Sequence, residues 1–206
     1  MSLTFYYAPM STATLTSLVI EELGVPVEKV KLDLQKGETK TPEFLKLNPN
    51  GAVPCVVHDG AAIWESAALT IYLGETFGVD KGLYPAPGPR RGEAMKWVVW
   101  TNVTLGDAAQ RVFRNTTDWY PAEQKNAAAG EAAQKDVARL LGILDAALGD
   151  RPFLTGDYTV ADTHVHSICD WLRHMKLDFA PFANIAAWSE RCRARPAYQK
   201  VMAAGG

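Results

Sequence analysis

The pattern of apolar and polar positions divides the chain into two stretches of different character. Leu3 to Tyr7 is aromatic, β-branched or apolar throughout, which suits a short buried strand. A helix is then expected from about Ser11 to Leu23, with Leu15, Leu18, Val19 and Leu23 on one face and Gly24 as its stop. "VPVEKVKLDL" predicts a second strand, and "TPEFLKLNPN" a short helix capped by Thr41, with Pro42 at its first position and Asn48-Pro49 at its end. "VPCVV" and "AAIW" flank the turn signal His58-Asp59-Gly60, so a hairpin is expected there. Ser66 to Phe77 completes the set as a helix closing at Gly78. The order β-α-β-α-β-β-α in fewer than about 80 residues predicts an α/β unit: a mixed sheet with parallel strands first and an antiparallel hairpin last.

After the sheet, "GVDKGLYPAPGPR" is rich in glycine and proline and marks a linker. Only helical periods follow. Residues 90 to 118 form one long helical pattern and 122 to 148 another, in which Val137, Leu140, Leu141, Leu144 and Leu148 make a continuous stripe. The expected organisation is therefore an α/β domain over 1–78, a linker over 79–89 and an all-α domain over 90–206. No internal repeat interrupts it.

Composition excludes several function classes. With 206 residues and 48% hydrophobic content, the chain can bury a substantial core without covalent staples. A net charge of −2 provides no basic footprint for nucleic acid and no polybasic patch for a membrane surface. Charges interrupt the apolar stretches well before membrane-spanning length, and no basic start precedes a long apolar run. The expected partner is a small molecule or another protein, and the expected setting is soluble and intracellular. Cys55, Cys169 and Cys192 are odd in number and widely spaced, which suits a reducing cytosol and buried thiols. In "HVHSIC" the residues His164, His166 and Cys169 carry ligand atoms, but residues two apart on a helix do not share a face, so no metal centre is expected.

Two short motifs carry candidate chemistry. In "NPNGAVPCV", Val53-Pro54 stands at the entrance to a strand, where proline is tolerated because its missing N–H costs no ladder bond. A cis bond there would turn the backbone groups of Val53 outward toward an extended ligand, whereas a trans bond would make it the start of an edge strand. Glu65-Ser66 lies at the last strand-to-helix junction. Ser66 and the helix N-terminus would attract a carboxylate, and Glu65 an ammonium, so together they could receive the amino-acid end of a zwitterionic peptide. The plainer alternative is a capping serine beside a solvated glutamate.

In this order, "FYYAPMS", "PEFLKLNPNGAVPCV", "WESAALTIYLGETF", the linker and "FLTGDYTVADTHV" resemble the cytosolic glutathione transferases over nearly the whole chain. The resemblance implies a thioredoxin-like N-terminal βαβαββα domain, a C-terminal helical bundle, glutathione as cosubstrate, a homodimer and a cytoplasmic location. It also implies that Pro54 is cis, that Val53 pairs with the cysteinyl part of glutathione, and that Glu65 and Ser66 bind the γ-glutamyl end. In many such enzymes a hydroxyl after the first strand donates to the glutathione sulfur, whose free pKa is about 8.5. Ser11 stands where members with the "FYYxPxS" pattern have a catalytic serine. Thr12 stands where bacterial members with "YxPGxC" have a cysteine, which disfavours a cysteine-dependent mechanism here. Tyr6 and Tyr7 are further alternatives, because other classes use a strand-one tyrosine.

The sequence also departs from the family. Gly51 and Ala52 replace the polar residues often found beside the glycyl end, and Ala67 replaces an arginine that follows Glu-Ser in some classes. Carboxylate binding is then expected from Gln35, Lys36 or Lys40. The resemblance implies an acceptor pocket between the domains, for which Trp97 and Trp100 could form an aromatic wall, with Arg111 and Arg114 repeating the spacing. Thr159 and Asp162 in "TVAD" form a capping box. The implied activity is conjugation of glutathione thiolate to a small apolar electrophile. The alternatives are a non-catalytic glutathione-binding or protein-docking module, and a glutathione-dependent isomerase or peroxidase.

Overall fold

The computed structural model describes residues 2–9 and 11–205, and its chain divides into two compact units. One comprises the residues up to Ala86 together with those from Ala194 onward; the other runs from Pro87 to Arg193.

In the first unit, β1 (Leu3–Tyr7), β2 (Glu28–Lys31), β3 (Cys55–His58) and β4 (Ala61–Trp64) form one sheet in the order β2-β1-β3-β4. β1 and β2 are parallel, while β3 runs antiparallel to both β1 and β4. This is the mixed sheet expected from the element order. Leu3 and Phe5 are buried, and between them the intervening positions face the other way. On that second face Tyr6 meets Phe44 of α2 (Pro42–Leu47) edge-on at 5.7 Å. Thr41 caps α2 by accepting from the Phe44 N–H at 3.3 Å, and Pro42 occupies its first turn, as the sequence predicts.

α1 (Ala13–Leu23) buries Leu15, Leu18, Val19 and Leu23 and packs against α3 (Ser66–Phe77). It starts two residues after the expected Ser11, because Ser11 and Thr12 belong to the turn that precedes it. The hairpin turns at Asp59, whose φ is 46°. α9 (Pro196–Ala203) lies along α1, where Arg195 makes two 2.7 Å bonds to the Glu22 carboxylate and Lys200 one of 2.6 Å to Glu21.

In the second unit, α4 (Pro89–Trp100) and α5 (Gly106–Thr116) are joined by a wider turn over Thr101–Leu105, so the single helix expected over 90–118 is interrupted. There the Gly106 N–H bonds five residues back to the Thr101 carbonyl. A Cβ on Gly106 would lie 2.8 Å from that oxygen, so this position accepts glycine for the close approach. The second expected helix also begins later than 122. A 3₁₀ turn spans Ala122–Gln124, after which Asn126 caps α6 (Ala127–Leu148) by accepting from the Ala129 N–H at 3.0 Å. The stripe Val137, Leu140, Leu141, Leu144 and Leu148 is buried throughout.

α7 (Val160–His174) opens on the capping box read from "TVAD". Asp162 is fully buried and accepts from the N–H groups of Leu154 and Thr159 and from Trp188 Nε1 of α8 (Ala183–Arg193), at 2.9 to 3.0 Å. Burial raises its pKa against these donors. Among the described residues, no helix is long and apolar enough to cross a membrane.

Candidate functional site

The strand register of the first unit brings three junctions to one end of the sheet. Cys55 stands opposite both Tyr6 and Trp64. The segment after β1, the residues before β3 and the residues after β4 are therefore neighbours, although 41 positions of sequence separate Thr12 of the first from Val53 of the second. Ser11 and Thr12 come from the first junction, Val53 and Pro54 from the second, and Glu65 and Ser66 from the third.

At the first junction both hydroxyls are already bonded. Ser11 Oγ donates to the Ala8 carbonyl at 2.7 Å and accepts from the Ala13 N–H at 3.1 Å, so it braces the entry to α1, whose N-cap position is Thr12. Thr12 Oγ1 donates to the Val53 carbonyl at 3.2 Å, which ties the start of α1 to the proline segment. A hydroxyl has one proton to donate. Tyr6 and Tyr7 are packing rings, Tyr6 against Phe44 and Tyr7 stacked on Phe5 at 5.5 Å.

At the second junction the Val53–Pro54 peptide is cis. Val53 and Pro54 are buried beside Cys55, whose thiol burial pushes up to about 11. That thiol is protonated at neutral pH and is no nucleophile. The loop leading into the segment is braced from two sides. Asn48 Nδ2 donates to the Ala52 carbonyl at 2.7 Å while its Oδ1 accepts from the Asn50 N–H at 3.1 Å. Lys40 Nζ donates to the carbonyls of Gly51, at 2.7 Å, and Asn50, at 3.2 Å. Gly51 has φ of 58°, and a Cβ there would stand 2.7 Å from Lys40 Nζ and 2.9 Å from the Thr39 carbonyl. The glycine thus makes room for the lysine as well as for the turn. Asn48, read from the sequence only as the end of the short helix, also holds this loop, and the Asn-Pro-Asn-Gly run is a recognisable signal for such side chain to backbone bonding.

At the third junction Glu65 is exposed and has φ of 73° and ψ of 118°, immediately before the first residue of α3, Ser66. A non-glycine residue in this region costs on the order of 1–3 kcal/mol, and such residues concentrate where a ligand is held. Its carbonyl accepts from the Leu69 N–H at 2.9 Å, so the first turn of α3 starts directly after it. The result is an acidic side chain beside a helix N-terminus: a cation acceptor and an anion acceptor held side by side.

Gln35 and Lys36 belong to a turn organised by Asp33. The Asp33 carboxylate accepts from the backbone N–H groups of both and pairs with Lys36 Nζ at 3.4 Å. Among the three basic or amide candidates for a carboxylate, only Lys40 is tied to the proline loop. In the second unit Trp97 is buried edge-on to Trp100 at 5.2 Å, and Arg111 is paired with Asp107 and Asp136.

Residues 1–75 match the family profile described as glutathione S-transferase, N-terminal domain, and residues 116–196 that of the C-terminal domain. Glutathione S-transferase GstB of Escherichia coli is 32% identical over 188 residues, which cover 90% of this chain and 89% of that protein. Disulfide-bond oxidoreductase YfcG of the same organism is 29% identical over 93% of this chain and 90% of its own length. Among solved structures, the glutathione transferase URE2P6 from Phanerochaete chrysosporium, crystallised with oxidized glutathione, superposes with a TM-score of 0.89 at 28% identity. That superposition covers 98% of this chain and 96% of the other.

Proposed function

The chain belongs to the cytosolic glutathione transferase superfamily, and from this we infer that it conjugates the glutathione thiolate to a small apolar electrophile. Glutathione is the cosubstrate of the family. The observation that carries the assignment to this site is Glu65, a charged residue kept in the left-handed region at a helix start. Selection maintains such backbone where the side chain or its neighbours hold a ligand.

In the proposed complex Glu65 takes the γ-glutamyl ammonium, while Ser66 and the N-terminus of α3 take its carboxylate. The cysteinyl N–H donates to the Val53 carbonyl, and Lys40 faces the glycyl carboxylate. Thr12 and Ser11 are the candidate donors to sulfur, and their bonds distinguish them. Ser11 would have to abandon a 2.7 Å bond to the Ala8 carbonyl, whereas Thr12 would give up one longer bond, of 3.2 Å, to Val53. The ligand's own N–H can replace Thr12 at that carbonyl. Binding then releases the threonine proton for the sulfur, and Ser11 keeps its bonds to Ala8 and Ala13.

A hydrogen bond to the thiolate is worth roughly 1.5–3 kcal/mol, which lowers the thiol pKa by about one to two units. With an aryl halide, the thiolate attacks the carbon bearing the halogen. The C–S bond forms, the halide leaves with its electron pair, and the thiol proton has already passed to solvent.

A second reading draws on the name of the YfcG relative. Glutathione thiolate attacking a disulfide sulfur would form a mixed disulfide and expel the other thiolate, with no protein cysteine required. An isomerase, a peroxidase and a binding module that has lost chemistry are further readings of the same glutathione site. The decisive experiment is glutathione calorimetry followed by turnover on aryl halides, enones, hydroperoxides and mixed disulfides. Binding with turnover on aryl halides or enones supports conjugation. Turnover confined to mixed disulfides moves the protein to the second reading, and binding without turnover makes it a docking module. The homodimer expected of the family is tested by sedimentation at micromolar concentration, where a strict monomer would oppose it.

A further inference from the structure

The first unit holds a cavity of about 290 Å³ that none of the groups given to glutathione lines. Small-ligand sites begin at about 300 Å³, so this one has room for a single ring with a short tail. Its walls are Tyr6 of β1, Leu32 just beyond β2, and Phe44 and Leu47 of α2. Phe44 is buried and fixes one wall, while Tyr6, Leu32 and Leu47 are only half-buried and keep apolar surface open to an occupant. The Tyr6 and Phe44 rings meet edge-on, with an interplanar angle of 62°.

The charges at this cavity have one sign. Glu38 and Glu43 border it, and among the described residues none that lines it is basic. Glu38 is held in place, because its Oε2 accepts from the Asp33 N–H at 2.7 Å, and Oε1 is left for a ligand. Glu43 is exposed and, among the described residues, has no cationic partner. Thr41, also at the border, has its proton committed to the Glu38 carbonyl at 3.1 Å. Two lysines of the preceding loop are engaged elsewhere: Lys36 with Asp33, and Lys40 with the carbonyls of Asn50 and Gly51. Carboxylates beside aromatic rings match an organic ammonium. The carboxylates take its N–H groups in charge-assisted bonds, and the rings attract the cation while covering its apolar body. The same two carboxylates repel an organic anion of equal shape.

We propose that this cavity binds a small primary ammonium carrying one aromatic ring, an arylalkylamine. The ring packs against Leu32, Phe44 and Leu47, and the ammonium reaches Glu38 and Glu43. The site shares no residue with the proposed glutathione complex and does not depend on it.

The test is an amide-shift NMR titration of the isotope-labelled full chain, without glutathione. The probes are 2-phenylethylamine, the neutral 2-phenylethanol, the anionic 3-phenylpropionate and the ring-free n-butylamine. Phenylethylamine should bind most tightly and move the amides of Tyr6, Leu32, Phe44 and Leu47. Phenylethanol and butylamine should each bind about threefold more weakly or worse, and phenylpropionate should leave these amides in place. Glu43→Gln and Glu38→Gln should each weaken phenylethylamine about threefold, reduce the salt dependence of its affinity and leave phenylethanol unchanged. Leu47→Trp, which fills the cavity, should abolish binding of both. Glu43 is exposed, so its variant should melt with the wild type and keeps the test open if the tryptophan variant fails to fold. Shifts confined to other residues, or unchanged amine affinity in both glutamine variants, would overturn the proposal. So would phenylpropionate or butylamine binding as tightly as phenylethylamine. No shift at millimolar amine would do the same and leave the cavity to a side chain of a protein partner.

Discussion

Thr12 donates its hydroxyl proton to the carbonyl of Val53 at 3.2 Å, across 41 positions of sequence. One residue earlier, Ser11 spends its proton on Ala8 and receives the Ala13 N–H. The two hydroxyls that the sequence offers as alternatives, Ser11 in the serine position of the family and Thr12 in the cysteine position, thus have different duties, and different consequences follow from removing them.

Thr12→Val should raise the pKa of bound glutathione by about one to two units, the worth of a hydrogen bond to a charged sulfur. Affinity for the thiol form should change little. Ser11→Ala should instead destabilise the protein by about 1 kcal/mol through the lost bonds to Ala8 and Ala13 and shift the thiol pKa less. Thiolate absorbance titrations and urea melts of both variants check the division. A thiol pKa moved by Ser11→Ala and untouched by Thr12→Val would return the catalytic role to the serine.

Lys40 bonds two carbonyls of the loop whose next residues are Ala52 and Val53. Its position depends on Gly51, where a Cβ would come within 2.7 Å of its ammonium. Lys40→Met should weaken glutathione by a few fold while leaving γ-glutamylcysteine, which lacks the glycyl residue, nearly unaffected. Gly51→Ala should both displace the lysine and strain a positive φ, costing roughly 1–3 kcal/mol of stability. Calorimetry with the two peptides separates these effects. Equal losses for both in Lys40→Met would make the lysine a loop brace and nothing more.

The first unit was legible in the sequence because its elements are short, strongly patterned and closed by clear signals. Thr41-Pro42 opens α2, Gly24 ends α1, and Ser66–Phe77 coincides with the expected helix. Along 90–118 the pattern predicts one helix, since a single wider turn at Thr101–Leu105 shifts the apolar stripe by only one position. Ala127 looks no different from Ala122 in an alanine-rich run. It is Pro121 and the Asn126 cap that set the start. Least legible were the contacts between distant residues. Nothing local to Glu22 foretells Arg195, 173 positions later, and nothing local to Thr12 foretells Val53. The candidate residues could be named from sequence, but the partner of each hydroxyl could not.

His164 and His166 make stability depend on pH in a direction that can be worked out. His164 is wholly buried with Nε2 2.7 Å from Asn102 Oδ1, and burial lowers its pKa to about 3. His166 is lowered to about 4, chiefly by burial. Asp170 opposes that shift, and Arg193 and Arg173 assist it. Unfolded histidine titrates near about 6.5, so below that pH the unfolded chain binds protons that the folded chain refuses. Stability present above about pH 6.5 is therefore lost as pH falls toward about 4, at roughly 1.4 kcal/mol per pH unit for each histidine once it is fully engaged. Urea melts between about pH 7 and about pH 5 should show this decline, and His164→Gln should flatten it by close to one proton. Parallel profiles for the two proteins would mean that His164 is protonated in the folded state.

Glu65 offers a sharper test, because its backbone and its side chain pull in opposite directions. At φ of 73° it occupies a conformation that glycine adopts without cost and other residues do not. Glu65→Gly should remove that strain, worth on the order of 1–3 kcal/mol, although glycine returns about 0.4–1 kcal/mol of it by loosening the unfolded chain. The variant should consequently be at least as stable as the wild type in urea. Glu65→Ala keeps the strain and should not gain. Both lose the carboxylate proposed to hold the γ-glutamyl ammonium, so both should bind glutathione more weakly by about 1.5–3 kcal/mol. Gained stability with lost affinity in the glycine variant, set against unchanged stability with the same loss in the alanine variant, is the signature of a residue kept for its ligand at the expense of the fold. If the glycine variant is instead destabilised and binds glutathione normally, Glu65 is a structural residue and the ammonium must be held elsewhere.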